Sequence, residues 1–79
     1  MSTKSDEYLV VGAKSFGSAI REFRRRRHIS QQKLADDTNL HRSYLSALEG
    51  GATTEAVKNL MRALRALDLE VVVRERSHR

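Results

Sequence analysis

The chain has no cysteine, no proline and no tryptophan. Without cysteine there can be no disulfide staples, and zinc sites built on thiolates are excluded. Only Gly12, Gly17, Gly50 and Gly51 supply glycine in 79 residues. That shortage of breakers, with abundant Ala, Leu and Arg, favours helices over a β-sandwich. No apolar run approaches the roughly 20 residues of a membrane span. The opening Met1-Ser-Thr-Lys-Ser-Asp-Glu7 is too polar for a secretory signal, so a cytoplasmic location with no membrane partner is expected. The length allows one domain, near the size at which a single core yields only about 3–5 kcal/mol. Apolar residues make up 39% and charged residues 32%, a globular rather than a disordered balance.

Charge of one sign dominates. Fifteen Lys and Arg against ten Asp and Glu leave +5, with an isoelectric point near 10.2. Most of the cations are arginine, whose planar fork suits phosphates and guanine edges. A basic helical chain of this size points to a polyanion partner, although ribosomal and surface-binding proteins share the balance.

Hydrophobic spacing divides the chain. Residues 1–13 read as an arm in which Tyr8 to Val11 is a short apolar patch, able to pair as a strand or to staple the first helix. From Ser15, the residues Phe16, Ile20, Phe23 and Arg27 recur on one helical face. The basic run Arg24 to Arg27 suits the negative end of a helix closing near His28. Ser30 offers an N-cap oxygen to a second helix, Gln31 to Thr38, and Asn39 tolerates the left-handed turn that follows. A third helix runs from Arg42 to Glu49, burying Leu45 and Leu48, and Gly50-Gly51 ends it. Thr53 or Thr54 caps a fourth, Glu55 to about Ala66, with Val57, Leu60, Met61, Leu64 and Leu67 as its apolar stripe. The period then switches to two. Leu69, Val71 and Val73 alternate with Glu70, Val72 and Arg74, the pattern of a strand.

Gln31 to Gly50 is the informative stretch. Two short helices joined by three residues, with small Ala35 in the first and Asn39 at the turn, meet the needs of a helix-turn-helix. Steeply crossing helices require a small residue where they touch, and apolar anchors stand at Leu34, Leu40, Leu45 and Leu48. Thr38 occupies a position where an apolar side chain would be more usual. Catalytic readings fare poorly. His28, His41 and His78 share no metal-ligand spacing, and Ser43 and Ser46 lack a base with an orienting acid. No enzyme activity, metal or cofactor is expected.

At these residues the chain resembles the Cro/C1-type (XRE) helix-turn-helix family. The resemblance is carried by Ile20-Arg-Glu-Phe-Arg24, Ile29-Ser-Gln-Gln-Lys-Leu-Ala35 and Ser43-Tyr-Leu-Ser-Ala-Leu-Glu-Gly50, and spans roughly Phe16 to Leu67. A fourth helix running into Leu67-Asp-Leu-Glu-Val-Val-Val73 is similar to the HipB-like branch of dimeric antitoxin-repressors, whose C-terminal strands pair across the dimer. The resemblance implies an all-α, four-helix, lambda-repressor-like domain at residues 14–68. A dimerisation strand at 69–76 and a tail at 77–79 would follow.

The same resemblance implies roles by position. His41, Arg42, Ser43, Ser46 and Ala47 would face bases in the major groove, with Arg42 forking onto guanine and Ala47 touching a thymine methyl. Gln31, Arg24, Arg27 and Tyr44 would contact DNA phosphates. Glu49 would pair with Arg24 as a structural tie. Beside these stand plainer readings: Arg24 to Arg27 as a solvated helix end, His41 as a cap and Arg42 as merely exposed. A lone strand would leave its backbone groups unpaired. Either Tyr8 to Val11 or the same strand of a second copy would satisfy it, and the homodimer through Leu69, Val71, Val72 and Val73 is favoured, with Tyr8 to Val11 as an outer strand. The implied function is a repressor on a palindromic operator of double-stranded DNA, serving also as antitoxin to a HipA-like kinase. The alternative is a stand-alone phage or mobile-element regulator.

Overall fold

The structure, a computed structural model, describes residues 7–76. The elements are β1 (Glu7–Val10), α1 (Ser15–Arg26), α2 (Gln31–Thr38), α3 (Arg42–Glu49), α4 (Glu55–Ala66) and β2 (Val71–Arg74). Residues 1–6 of the expected arm and the tail at 77–79 lie outside the described residues.

Local chemistry sets the helix ends. The Ser30 hydroxyl accepts the Lys33 N–H at 3.0 Å to start α2, and the Thr54 hydroxyl accepts the Val57 N–H at 3.3 Å to start α4. Each helix stops when one residue turns left-handed: His28 (φ 58°) after α1, Asn39 (φ 62°) after α2, Gly51 (φ 107°) after α3 and Asp68 (φ 60°) after α4. The next amide then reaches back five residues. Ile29 donates to the Arg24 carbonyl at 3.3 Å, Leu40 to Ala35 at 3.1 Å, Ala52 to Ala47 at 2.9 Å and Leu69 to Leu64 at 2.9 Å. These bonds satisfy carbonyls that have no partner within the helix. Asn39 was the expected left-handed residue; His28 and Asp68 perform the same task without glycine.

Small residues bring the helices together. A Cβ built on Gly17 would lie 1.6 Å from the Leu48 carbonyl oxygen, so α1 and α3 meet backbone to backbone. Val10, Ala19, Ala35, Leu45 and Met61 are the buried apolar residues. The larger side chains expected to fill the core are less covered. Phe16, Ile20 and Phe23 are half-buried and, with Val73 of β2, line an open cleft of about 650 Å³. On α4 only Met61 of the predicted stripe is buried, while Leu60 and Leu67 are exposed. Leu40, expected as an anchor, is also exposed.

Of the two partners the sequence offers the C-terminal strand, the structure shows the one within the chain. β1 and β2 of the same chain pair antiparallel, with Tyr8 opposite Val73, Leu9 opposite Val72 and Val10 opposite Val71. Tyr8, Val10, Val71 and Val73 alternate on the more buried face; Leu9 and Val72 are exposed. One edge of β2 is thus satisfied within the chain. The Arg65 guanidinium donates to the Val11 carbonyl at 3.1 Å, tying α4 to the end of β1. No helix among the described residues is long and apolar enough to cross a membrane.

Candidate nucleic-acid interface

Helices α2 and α3, joined by Asn39, Leu40 and His41, form a bihelical unit with Ala35 and Leu45 buried between its elements. Thr38 fits because its hydroxyl donates back to the Leu34 carbonyl at 2.7 Å and stays at the surface. No hydroxyl is buried unpaired where an apolar group was expected.

The outward side of α3 carries the candidates for base contact. His41, Arg42, Ser43, Ser46 and Ala47 are all exposed, as is Tyr44. His41 stands at the N-cap but caps with its backbone only: its carbonyl accepts the Leu45 N–H at 3.2 Å and its side chain makes no cap bond. The helical period explains the arrangement, since Leu45, Leu48 and Glu49 share the inner side of α3 while Ser46 and Ala47 turn out.

A buried polar centre holds this helix. Arg24 Nε donates to Glu49 Oε2 at 2.8 Å, Arg24 Nη2 to Glu49 Oε1 at 3.0 Å, and Arg24 Nη1 to the Ile29 carbonyl at 2.7 Å. The Glu49 side chain is 4% exposed and that of Arg24 13%. This is the ion pair implied by the resemblance, and its bidentate form fixes angle as well as distance. The sequence did not reveal the third member: Gln31 Nε2 donates to Glu49 Oε1 at 3.1 Å. One carboxylate therefore joins the end of α1, the start of α2 and the end of α3. Hydrogen bonds from Arg24 hold the Glu49 carboxyl below its ordinary range, helped by Gln31, while burial pushes the other way.

The candidate phosphate contacts occupy different surroundings. Gln31 is half-buried and keeps its second amide hydrogen and its carbonyl oxygen available beyond the bond to Glu49. Arg24 has three of five N–H groups engaged. Arg27 is exposed at the end of α1. Its neighbour Arg26 is occupied instead, pairing with Glu22 at 2.9 Å and lying over the Phe23 ring at 4.8 Å. Among the proposed dimer residues, Leu69 and Val72 are exposed, while Val71 and Val73 are half-buried in the sheet. Among the described residues no three His, Asp or Glu gather to hold a metal.

Gly17 is the positional residue that sequence reasoning passed over. A glycine inside a helix costs about 1 kcal/mol relative to alanine, so its presence mid-period is itself a signal that a side chain cannot fit.

Comparison with known proteins gives the same unit. A family model described as a helix-turn-helix domain matches residues 15–75. The chain is similar to Control protein C.BamHI of Bacillus amyloliquefaciens, at 34% identity over 56 residues, 70% of this chain and 69% of that protein. No solved structure matches it.

Proposed function

The chain belongs to the helix-turn-helix family, and from that premise we propose that it is a sequence-specific transcription regulator acting on double-stranded DNA. The observation that carries the reading is the exposed polar face of α3, held at a fixed angle to α1 and α2 by the Arg24, Glu49 and Gln31 centre. In this reading α3 enters the major groove. Arg42 forks onto a guanine, His41, Ser43 and Ser46 reach neighbouring base edges, and Ala47 meets an apolar edge. Gln31, Arg24, Arg27 and Tyr44 contact the phosphates that set the register. The net +5 favours any duplex over a neutral partner. A relative named a control protein is in keeping with a regulatory role.

The finer reading is a dimeric repressor. β1 covers one edge of β2, and exposed Leu9, Leu69 and Val72 support a second copy pairing along the other edge. Such a dimer would set two α3 helices about 34 Å apart on a palindromic operator. The run from Leu67 to Val73 further supports a HipB-like antitoxin with a HipA-like kinase as partner, which co-purification with the product of a neighbouring gene tests. A stand-alone regulator is the reading left if no kinase is found.

Selection of bound duplexes from a random library, followed by footprinting at stated salt, tests the core proposal. A defined site is expected, and Arg42→Ala should relax preference at one position per half-site, at a cost of about 1–3 kcal/mol. An unchanged preference would sink the docking proposed for α3.

A further inference from the structure

Beside the exposed face of α3 lies a second feature, a dimple of about 200 Å³ that the sequence motif does not announce. Its rim is formed by Tyr44 and Ala47 of α3 and by Ala52 and Thr53 of the following loop, with Leu48 and Val57 beneath. The loop is pinned there. Gly51 turns left-handed at φ 107°, and the Ala52 N–H then bonds the Ala47 carbonyl at 2.9 Å, which sets the two alanines side by side. Thr54 next to them has its hydroxyl spent on the Val57 N–H at 3.3 Å.

The lining is mostly apolar, alanine, leucine and valine groups and the flank of an aromatic ring, with the Thr53 and Thr54 hydroxyls its side-chain hydrogen-bonding groups beside the Tyr44 phenol. A surface of that kind is poorly suited to read a base by donor and acceptor pattern. In the major groove only one ordinary base edge is apolar, the C5-methyl of thymine. The dimple also includes Ala47, one of the residues of the face that would meet base edges.

Resting on the DNA-binding reading above, the geometry points to a site for a 5-methylpyrimidine: the thymine methyl enters between Ala47, Ala52 and Thr53, with Tyr44 closing one side. The reading surface therefore extends beyond α3 into the loop before α4. Ala52 and Thr53 determine specificity there, alongside Ala47.

Replacing thymine by deoxyuridine tests this, because it removes one methyl and leaves every hydrogen-bonding group in place. Each thymine of a selected duplex is exchanged in turn and the affinity measured at constant salt. At one or more positions deoxyuridine should weaken binding about fourfold, the worth of one buried methyl. The ratio should fall toward one in Ala47→Ser and in Thr53→Ser, each checked for native helix content by circular dichroism. A 5-methylcytosine at the sensitive position should bind better than cytosine there. Tolerance of deoxyuridine at every position would overturn the inference while leaving the DNA-binding reading intact. A penalty that persists undiminished in both variants would also overturn it. Failure to bind any duplex would overturn both.

Discussion

The two sides of this small domain are built to different standards. On one side α1, α2 and α3 close on each other through Gly17 and a buried, bidentate ion pair, with Ala35 and Leu45 packed between. On the other, α4 and the sheet bury Val10 and Met61 but leave Leu9, Leu60, Leu67, Leu69 and Val72 at the surface. The contrast teaches that the helices proposed to meet DNA are fixed by contacts within the chain. The opposite side retains apolar surface that further burial would stabilise. Close contact is concentrated among α1, α2 and α3, and exposed apolar surface on α4 and the sheet.

Substitutions on each side can break that contrast or sharpen it. The largest effect belongs to Gly17→Ala. The added methyl would collide with backbone rather than with a movable side chain, so α1 and α3 would have to separate. A loss of about 3 kcal/mol or more is expected, comparable to the whole stability of a domain this size, and thermal unfolding followed by circular dichroism would show it. A melting temperature unchanged within a few degrees would mean that the close side is not close.

Glu49→Gln comes next, at about 3 kcal/mol, because it leaves the Arg24 guanidinium largely buried without its counter-charge. Its pH signature is distinctive. The folded-state pKa of Glu49 is lowered, so its contribution is fully present above the unfolded glutamate value of about 4.3. That contribution disappears as pH falls through the lower folded value. Urea denaturation across this range should therefore show a steeper acid loss in the parent chain than in the variant. Parallel profiles would remove Glu49 from the account of acid sensitivity.

The smallest effect should come from the other side. Leu60→Ala trims a side chain that is 54% exposed, and in dilute solution it should change stability by no more than about 0.5 kcal/mol. The same comparison at high protein concentration sharpens the point. If a second copy covers α4, the cost of Leu60→Ala should grow with concentration, as read from the midpoint of thermal unfolding.

Much of this was legible in the sequence, and unevenly. The spans of α2, α3 and α4 follow from Ser30, Asn39, Gly50-Gly51 and Thr54, because caps and left-handed stops are local and cost or gain energy regardless of what packs nearby. The pairing of Arg24 with Glu49 came through the family resemblance, and the structure adds Gln31 to it. β1 was harder, since four residues in a polar arm carry little periodicity, and their strand character depends on Val71 to Arg74, more than sixty positions away. Depth of burial was the least legible quantity. Leu40, Leu60 and Leu67 sit at apolar positions of a correct pattern, yet a pattern states which way a side chain faces, not whether anything lies there to cover it. Gly17 was visible but unread, its meaning residing in a helix that crosses it thirty residues later.

The sheet carries one last consequence. Glu7 stands directly opposite Arg74, so the two ends of the described chain leave the domain from the same corner. Neighbouring ends of this kind tolerate re-joining. A short peptide splice joining Glu7 to the residues just after β2 would give a ring with all four helices undisturbed.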